Sequence, residues 1–244
     1  MAAGAGQASI EPKYYRVKRH LLESIESMAP GSAVPTERDL AAALNTSRTT
    51  VRQALTELVS EGRLTRRQGA GTFVAEPKLT WPLHLGSFTE QLAASGLTAA
   101  SEVLGTQRLP ATAELALSLD VNLRDPIYRI DRLRLADARP IAVESSWFAA
   151  HRFPGLTRLV RANHSLHALL ADRYRALIDH GEESIETAPA TPREAGPLRV
   201  DVGAPMLVIG RRNFDADGVP IELGKTWFRG DRVTLVARLA AGSR

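Results

Sequence analysis

The chain has 244 residues, 44% hydrophobic and 24% charged, with a net charge of +4 and no cysteine. That composition describes a globular protein with room for one large domain or two ordinary ones. It excludes disulfides, a thiolate nucleophile and cysteine-bound zinc.

Residues 1–12 read as a flexible tail. Met1–Ile10 lacks the basic start and long apolar core of a signal peptide, and no later apolar run reaches bilayer-spanning length. A cytoplasmic location with no membrane partner is expected. Residues 1–78 carry 11 Lys/Arg against 8 Asp/Glu, and the remainder 20 against 19, so most of the positive excess lies in the first third.

Tyr14, Val17, Leu21, Leu22, Ile25 and Met28 share one helical face, which predicts a helix over 14–28, stopped by Pro30-Gly31. A second helix is expected from Thr36 as cap, with Asp39 reaching back as the acid of a capping box. A third is expected from Ser47, with Val51, Leu55, Leu58 and Val59 as its apolar stripe and Gly62 as its stop. Arg48, Thr49 and Arg52 lie off that stripe. Two strands, 63–66 and 72–74, follow as a hairpin through Gln68-Gly69-Ala70-Gly71. Helix, helix, short turn, helix and hairpin is the order of a winged helix-turn-helix, predicted over 13–75.

Glu76-Pro77-Lys78 breaks the pattern, so 76–82 is expected to be a linker. Trp81 to Leu85 reads as extended, and Ser87 to Leu92 as a short helix. Next comes an internal repeat. Leu119-Asp120-Val121, Arg132, Ala136-Asp137, Pro140-Ile141 and Trp147-Phe148 recur about 80 residues later as Val200-Asp201-Val202, Arg212, Ala216-Asp217, Pro220-Ile221 and Trp227-Phe228. Each copy reads as short helix, strand, turn, strand. A helix over 164–177, a strand over 179–188 and a final strand over 233–239 complete residues 83–240. The fold class is therefore two domains, the second α+β on an antiparallel sheet.

Arg132 and Arg134 are two apart on a strand and share a face. Two guanidinium groups there hold an anion between them, or each pairs with a carboxylate such as Asp131, Glu144 or Asp231. Glu144 joins that face only if its hairpin closes through an odd number of residues, as Asp137-Ala138-Arg139 would; a two-residue turn would send it to the other face. His164-x-x-His167 lacks the further ligands of a metal site, and no cofactor is expected. Trp147 and Trp227 read as core.

Residues 13–75 resemble the GntR family of bacterial transcription regulators. Pro35-Thr36-Glu37-Arg38-Asp39-Leu40, Ser47-Arg48-Thr49-Thr50-Val51-Arg52-Gln53-Ala54-Leu55 and Gln68-Gly69-Ala70-Gly71-Thr72-Phe73-Val74 carry the resemblance. It implies DNA contacts from Thr36, Arg38, Ser47, Arg48, Thr49, Thr50, Arg52, Arg66, Arg67, Gln68 and Gly69. Arg38 and Arg48 suit guanine edges, the hydroxyls and Arg52 suit phosphate, and Gly69 lets the wing approach the minor groove. The rest is similar to the effector (UTRA) domain of the HutC subfamily, whose fold resembles chorismate lyase. Arg132-Leu133-Arg134, Pro140-Ile141-Ala142-Val143-Glu144, Ser165-Leu166-His167 and Ala190-Thr191-Pro192-Arg193-Glu194 carry that part.

The resemblance implies a homodimeric repressor on palindromic double-stranded operator DNA, released by a phosphorylated amino sugar. Arg132, Arg134, Ser165 and the loop Ser87-Phe88-Thr89 would hold phosphate, and Glu144 and Glu222 the sugar. Phe228 and His167 stand where relatives often carry tyrosine; the hydroxyl lost at Phe228 removes one polar contact, so a phosphorylated sugar remains the expected class without being fixed as N-acetylglucosamine 6-phosphate or glucosamine 6-phosphate. The alternative is a lyase-like enzyme acting on a carboxylate, fused to a DNA-binding module.

Overall fold

The computed structural model describes residues 12–67, 69–82 and 86–237. All but the last residue of the expected tail, Gln68 of the wing, Leu83 to Leu85 and the end of the expected final strand lie outside the described residues. The chain splits into two compact units between Lys78 and Leu79.

In the first unit, α1 (Lys13–Glu26), α2 (Glu37–Ala43) and α3 (Arg48–Ser60) precede a hairpin of β1 (Leu64–Arg67) and β2 (Gly71–Val74). Burial follows the 3.6-residue period. Val17, Leu21 and Ile25 of α1 pack with Val51, Ala54, Leu55 and Leu58 of α3, and Leu64 and Val74 close the hairpin over them. Thr36 and Ser47 cap their helices, accepting from the Asp39 and Thr50 amides. Asp39 does not close a capping box: its carboxylate accepts from the Thr36 hydroxyl, 2.7 Å away. Gly62 ends α3 with φ +69°, a conformation that costs a residue with a Cβ.

The second unit runs β3 (Leu79–Pro82), α4 (Phe88–Ala94), β4 (Ala99–Pro110), α5 (Ala113–Leu119), β5 (Pro126–Ala136), β6 (Arg139–Ala149), α6 (Leu156–Leu159), α7 (Leu166–Tyr174), β7 (His180–Pro189), α8 (Pro192–Leu198), β8 (Pro205–Phe214), β9 (Pro220–Arg229) and β10 (Val233–Val236). Six strands form an antiparallel sheet in the order β4-β5-β6-β9-β8-β7. The repeat is therefore strand, helix, hairpin, with a leading strand β4 that the sequence reading missed. The expected linker is shorter than 76–82. Leu79–Pro82 pairs in parallel with β10, a contact about 150 residues apart that no local pattern signals.

One face of the sheet is covered by α5 and α8, each started by a threonine cap, Thr112 and Thr191. The other face is covered unequally. Trp81 and the α4 residues Phe88 and Leu92 pack on Ala142, Ile209 and Phe228; α6 and α7 pack on Ile130, Phe148 and Ile221. The space between these two coverings is where the charged residues gather.

The β5–β6 hairpin corrects the expected turn. Ala136 pairs with Arg139, so the turn has two residues, Asp137 and Ala138, both at positive φ. That parity alone would put Glu144 on the wrong face. A β-bulge restores it: Leu135 pairs with Pro140 but Arg134 with Ala142, so Ile141 is the extra residue and Glu144 stands opposite Arg132. The second hairpin bulges at the corresponding Ile221.

Ala138 holds φ +62° without being glycine. Ala138→Gly is expected to raise stability by ~0.5–1 kcal/mol, the left-handed penalty less glycine's extra chain entropy. A rise in the denaturant midpoint checks it; a fall contradicts the turn.

Candidate functional site

The first candidate surface is the exposed start of α3 with the hairpin beside it. Ser47, Arg48 and Thr49 are exposed, and Thr50 is half-buried with its hydroxyl 2.8 Å from that of Ser47. Thr36 and Arg38 are exposed at the start of α2. The Arg48 guanidinium makes no hydrogen bond or ion pair with the described residues. Arg52 behaves differently. Its Nε lies 3.1 and 3.0 Å from the two Glu37 carboxylate oxygens and its second terminal nitrogen 2.8 Å from one of them, which ties α3 to α2. The Glu37 carboxyl is lowered by this bond, and the Arg52 guanidinium raised by it. Arg66 donates to Thr56 at 3.2 Å. Gly69 sits exposed at φ +73° with open space around it. Arg67 ends β1; Gln68 lies outside the described residues.

The second candidate site lies in the UTRA-like unit. Arg132 is 2% exposed and Arg134 5%. Both guanidinium groups converge on Glu144. Arg132 donates to its Oε1, and Arg134 reaches Oε1 at 2.7 Å and Oε2 at 3.0 and 3.2 Å. Arg134 also donates to Ser101 at 2.7 Å and lies 4.7 Å over the Phe88 ring. Of the carboxylates named as partners, Glu144 is the one that takes both arginines. Asp131 pairs with Arg129 and Arg193 on the opposite face, and Asp231 with Arg229. Burial would raise the Glu144 carboxyl, but the Arg132 and Arg134 charges outweigh it and hold it well below the usual range. Burial pulls the Arg134 guanidinium down to about 10, so it stays charged at neutral pH.

Glu222 is 4% exposed on β9. It accepts from Asn213 at 2.9 Å and lies 3.0 Å from His167 Nε2. Burial alone would raise its carboxyl; the His167 bond overrides this and lowers it to about 2. His164 turns instead to the Ala162 carbonyl, so the two histidines do not converge. Among the described residues no group of three or more His, Asp or Glu is placed to hold a metal ion.

Two cavities adjoin these groups. An inner one of about 60 Å³ is lined by Phe88, Arg134, Glu144, His167, Glu222 and Phe228, among others. An outer one of about 300 Å³ is lined by Ser87, Ser165, His167 and Asn213. Ser87 and Ser165 are the caps of α4 and α7. Arg132 lies behind the cavities and lines neither; Thr89 is exposed on α4 and also lines neither. Arg211 and Asn213 line the site, although the sequence reading did not single them out. The signal was available in the alternation Leu207, Ile209, Arg211, which carries Arg211 to the same face as Arg132.

Residues 13–74 match the family model described as bacterial regulatory proteins, gntR family, and residues 94–234 match the UTRA domain. The chain belongs to the GntR family. It is 35% identical over 241 residues to the HTH-type transcriptional repressor PhnF of Mycolicibacterium smegmatis, covering 99% of this chain and 97% of that protein. It is 36% identical over 231 residues to the HTH-type transcriptional repressor NagR of Bacillus subtilis, covering 92% and 93%. The crystal structure of PhnF from Mycobacterium smegmatis aligns with a TM-score of 0.67, covering 93% of this chain and all of that one. As a GntR regulator with a UTRA domain, the chain is a DNA-binding transcription regulator with an effector-binding domain. The family is one of regulators rather than enzymes. No helix among the described residues is long and apolar enough to cross a membrane.

The Glu222 shift predicts acid behaviour. Its carboxyl is near 4.5 when unfolded and about 2 when folded, so the unfolded state binds more protons between these values. The stability it contributes is present above pH 4.5 and is lost as pH falls towards 2. Glu222→Gln is expected to flatten stability against pH across that window. An unchanged acid limb in denaturation curves contradicts the assignment.

Proposed function

We propose that this GntR regulator is a homodimeric repressor that leaves a palindromic operator when a small anionic metabolite, of the phosphorylated-sugar class, enters its UTRA domain. One observation carries the effector half of the reading. Donors from Ser87, Ser165 and Arg134 and acceptors from Glu144 and Glu222 border two adjoining cavities. A polyhydroxyl anion needs both kinds of partner, cations and hydroxyls for its charge and carboxylates for its hydroxyls. Phe228 and His167 set the wall chemistry. The ring of Phe228 offers no hydroxyl, and His167 brings a nitrogen already engaged with Glu222. The repressor names of PhnF and NagR support the sign of regulation.

On the DNA side, the proposal gives Arg48 and Arg38 to guanine edges. Ser47, Thr49 and Thr50 go to phosphate at the start of α3, and Gly69 with Arg66 and Arg67 to the wing. Arg52 contributes by setting α3 on α2 through Glu37, with its remaining nitrogen turned to phosphate. Two copies would read two half-sites because a two-fold protein matches a two-fold site.

Arg48→Ala is expected to remove ~1–3 kcal/mol of discrimination against mismatched DNA while leaving effector affinity unchanged. Gel shifts with specific and scrambled duplexes check this, and undiminished selectivity rejects the role of Arg48. The lyase alternative predicts turnover of a carboxylate substrate. The proposal predicts that such ligands are recovered unchanged after incubation.

A further inference from the structure

The six-stranded sheet has an approximate two-fold through the β6–β9 pair, where Ser145 stands opposite Lys225. The registers fix which residues correspond. Ser145 also faces Asp131 and Lys225 faces Gly210, so the next pair along, Arg132 with Glu144, corresponds to Arg211 with Gly224. The first strands of the two hairpins are thus 79 apart and the second strands 80. This replaces the correspondence of Arg132 with Arg212 expected from the sequence. The repeat keeps the arginine and replaces the carboxylate with glycine.

Nothing in the packing demands that glycine. A Cβ at 224 would meet the Arg211 carbonyl at 3.8 Å, and Arg211 Cβ and Glu222 Oε1 each at 4.0 Å, all ordinary contacts. Gly224 is also not among the positive-φ glycines. What the glycine leaves is space: Gly224 and Arg211 both line the inner cavity, and Arg211 also lines the outer one. Arg211 is paired with Glu183 on the edge strand β7 through both Nε, at 2.5 Å, and Nη2, and its Nη1 lies 3.4 Å from the carbonyl of Gly86, which lines both cavities. The nearby Glu222 gives its Oε2 to His167 and Asn213, while its Oε1 borders the space at 4.0 Å from the Cβ position of residue 224.

We infer that the space over Gly224 is an anion subsite with Arg211 as its cation. It takes a phosphate or carboxylate group of the effector in the way that Glu144 sits against Arg132 in the other half. The chain supplies its own stand-in: one repeat carries the anion covalently, and the other leaves its place open to a ligand. This inference rests on the effector reading of the UTRA domain and adds a residue to it. Planar guanidinium suits either oxyanion, and Glu183 is the carboxylate the ligand displaces.

The test is calorimetric titration of the full chain with inorganic phosphate and with glucosamine 6-phosphate, each variant first checked for fold by circular dichroism. Arg211→Gln is expected to weaken binding about tenfold or more. Gly224→Glu places a carboxylate where the ligand anion would sit and is expected to abolish binding. Glu183→Gln removes the competing partner and is expected to leave affinity equal or higher. If Arg211→Gln does not fold, the other two variants carry the test. Binding by Gly224→Glu at the wild-type level overturns the subsite and leaves the effector reading standing. Absence of any binding to the wild type by either probe overturns both.

Discussion

Two buried guanidinium groups on one strand, closed by one carboxylate on the next, are the constraint that the UTRA domain is built around. Taking a charge out of water costs several kcal/mol unless partners surround it. Arg132 and Arg134 therefore need Glu144, and Ser101 completes the Arg134 donors. Meeting that need fixes backbone geometry. A two-residue turn would turn Glu144 away, so the extra residue at Ile141 is what brings the cluster together. It also fixes β4, because Ser101 comes from that strand, and α4, because Phe88 lies over Arg134.

The repeat then explains why there is a site on one face. On the α5/α8 face the two halves stay alike: short capped helices, a Trp in each hairpin, apolar packing. On the other face they diverge. One half keeps Arg132 with Glu144. The other has Arg211 with Gly224, and Glu222 held by His167 and Asn213. The coverings differ too, α4 with β3 and β10 against α6 with α7. A duplicated frame with unequal lids leaves room, and the room lies beside the charges.

The winged helix was legible because its signals are local. Caps at Thr36 and Ser47, the stop at Gly62 and a 3.6-residue apolar period each act within a few residues. The duplication and the face shared by Arg132, Arg134 and Glu144 were legible too, although the parity came from a bulge rather than from a three-residue turn. What was missed depends on distant contacts. β4 is an edge strand whose alternation is broken by a bulge beside Gly105, and its residues are mostly part-exposed or exposed. β3 exists because β10 pairs with it. The Arg52–Glu37 bond crosses from one helix to the next, so spacing within α3 alone showed only an arginine off the apolar stripe, suited to phosphate. Arg211 fell out of view because the repeat was aligned at 80 where the first strands run at 79.

Coupling between the two units is the centre of this account, and a ligand shifts DNA affinity only through different affinities for the bound and released states. The most direct measurement is fluorescence anisotropy of a labelled duplex from the region upstream of the chain's own gene, titrated with glucosamine 6-phosphate at fixed protein. The account predicts release of the duplex at ligand concentrations that saturate the UTRA domain in calorimetry. A duplex that stays bound with unchanged affinity while the UTRA domain is saturated would contradict it.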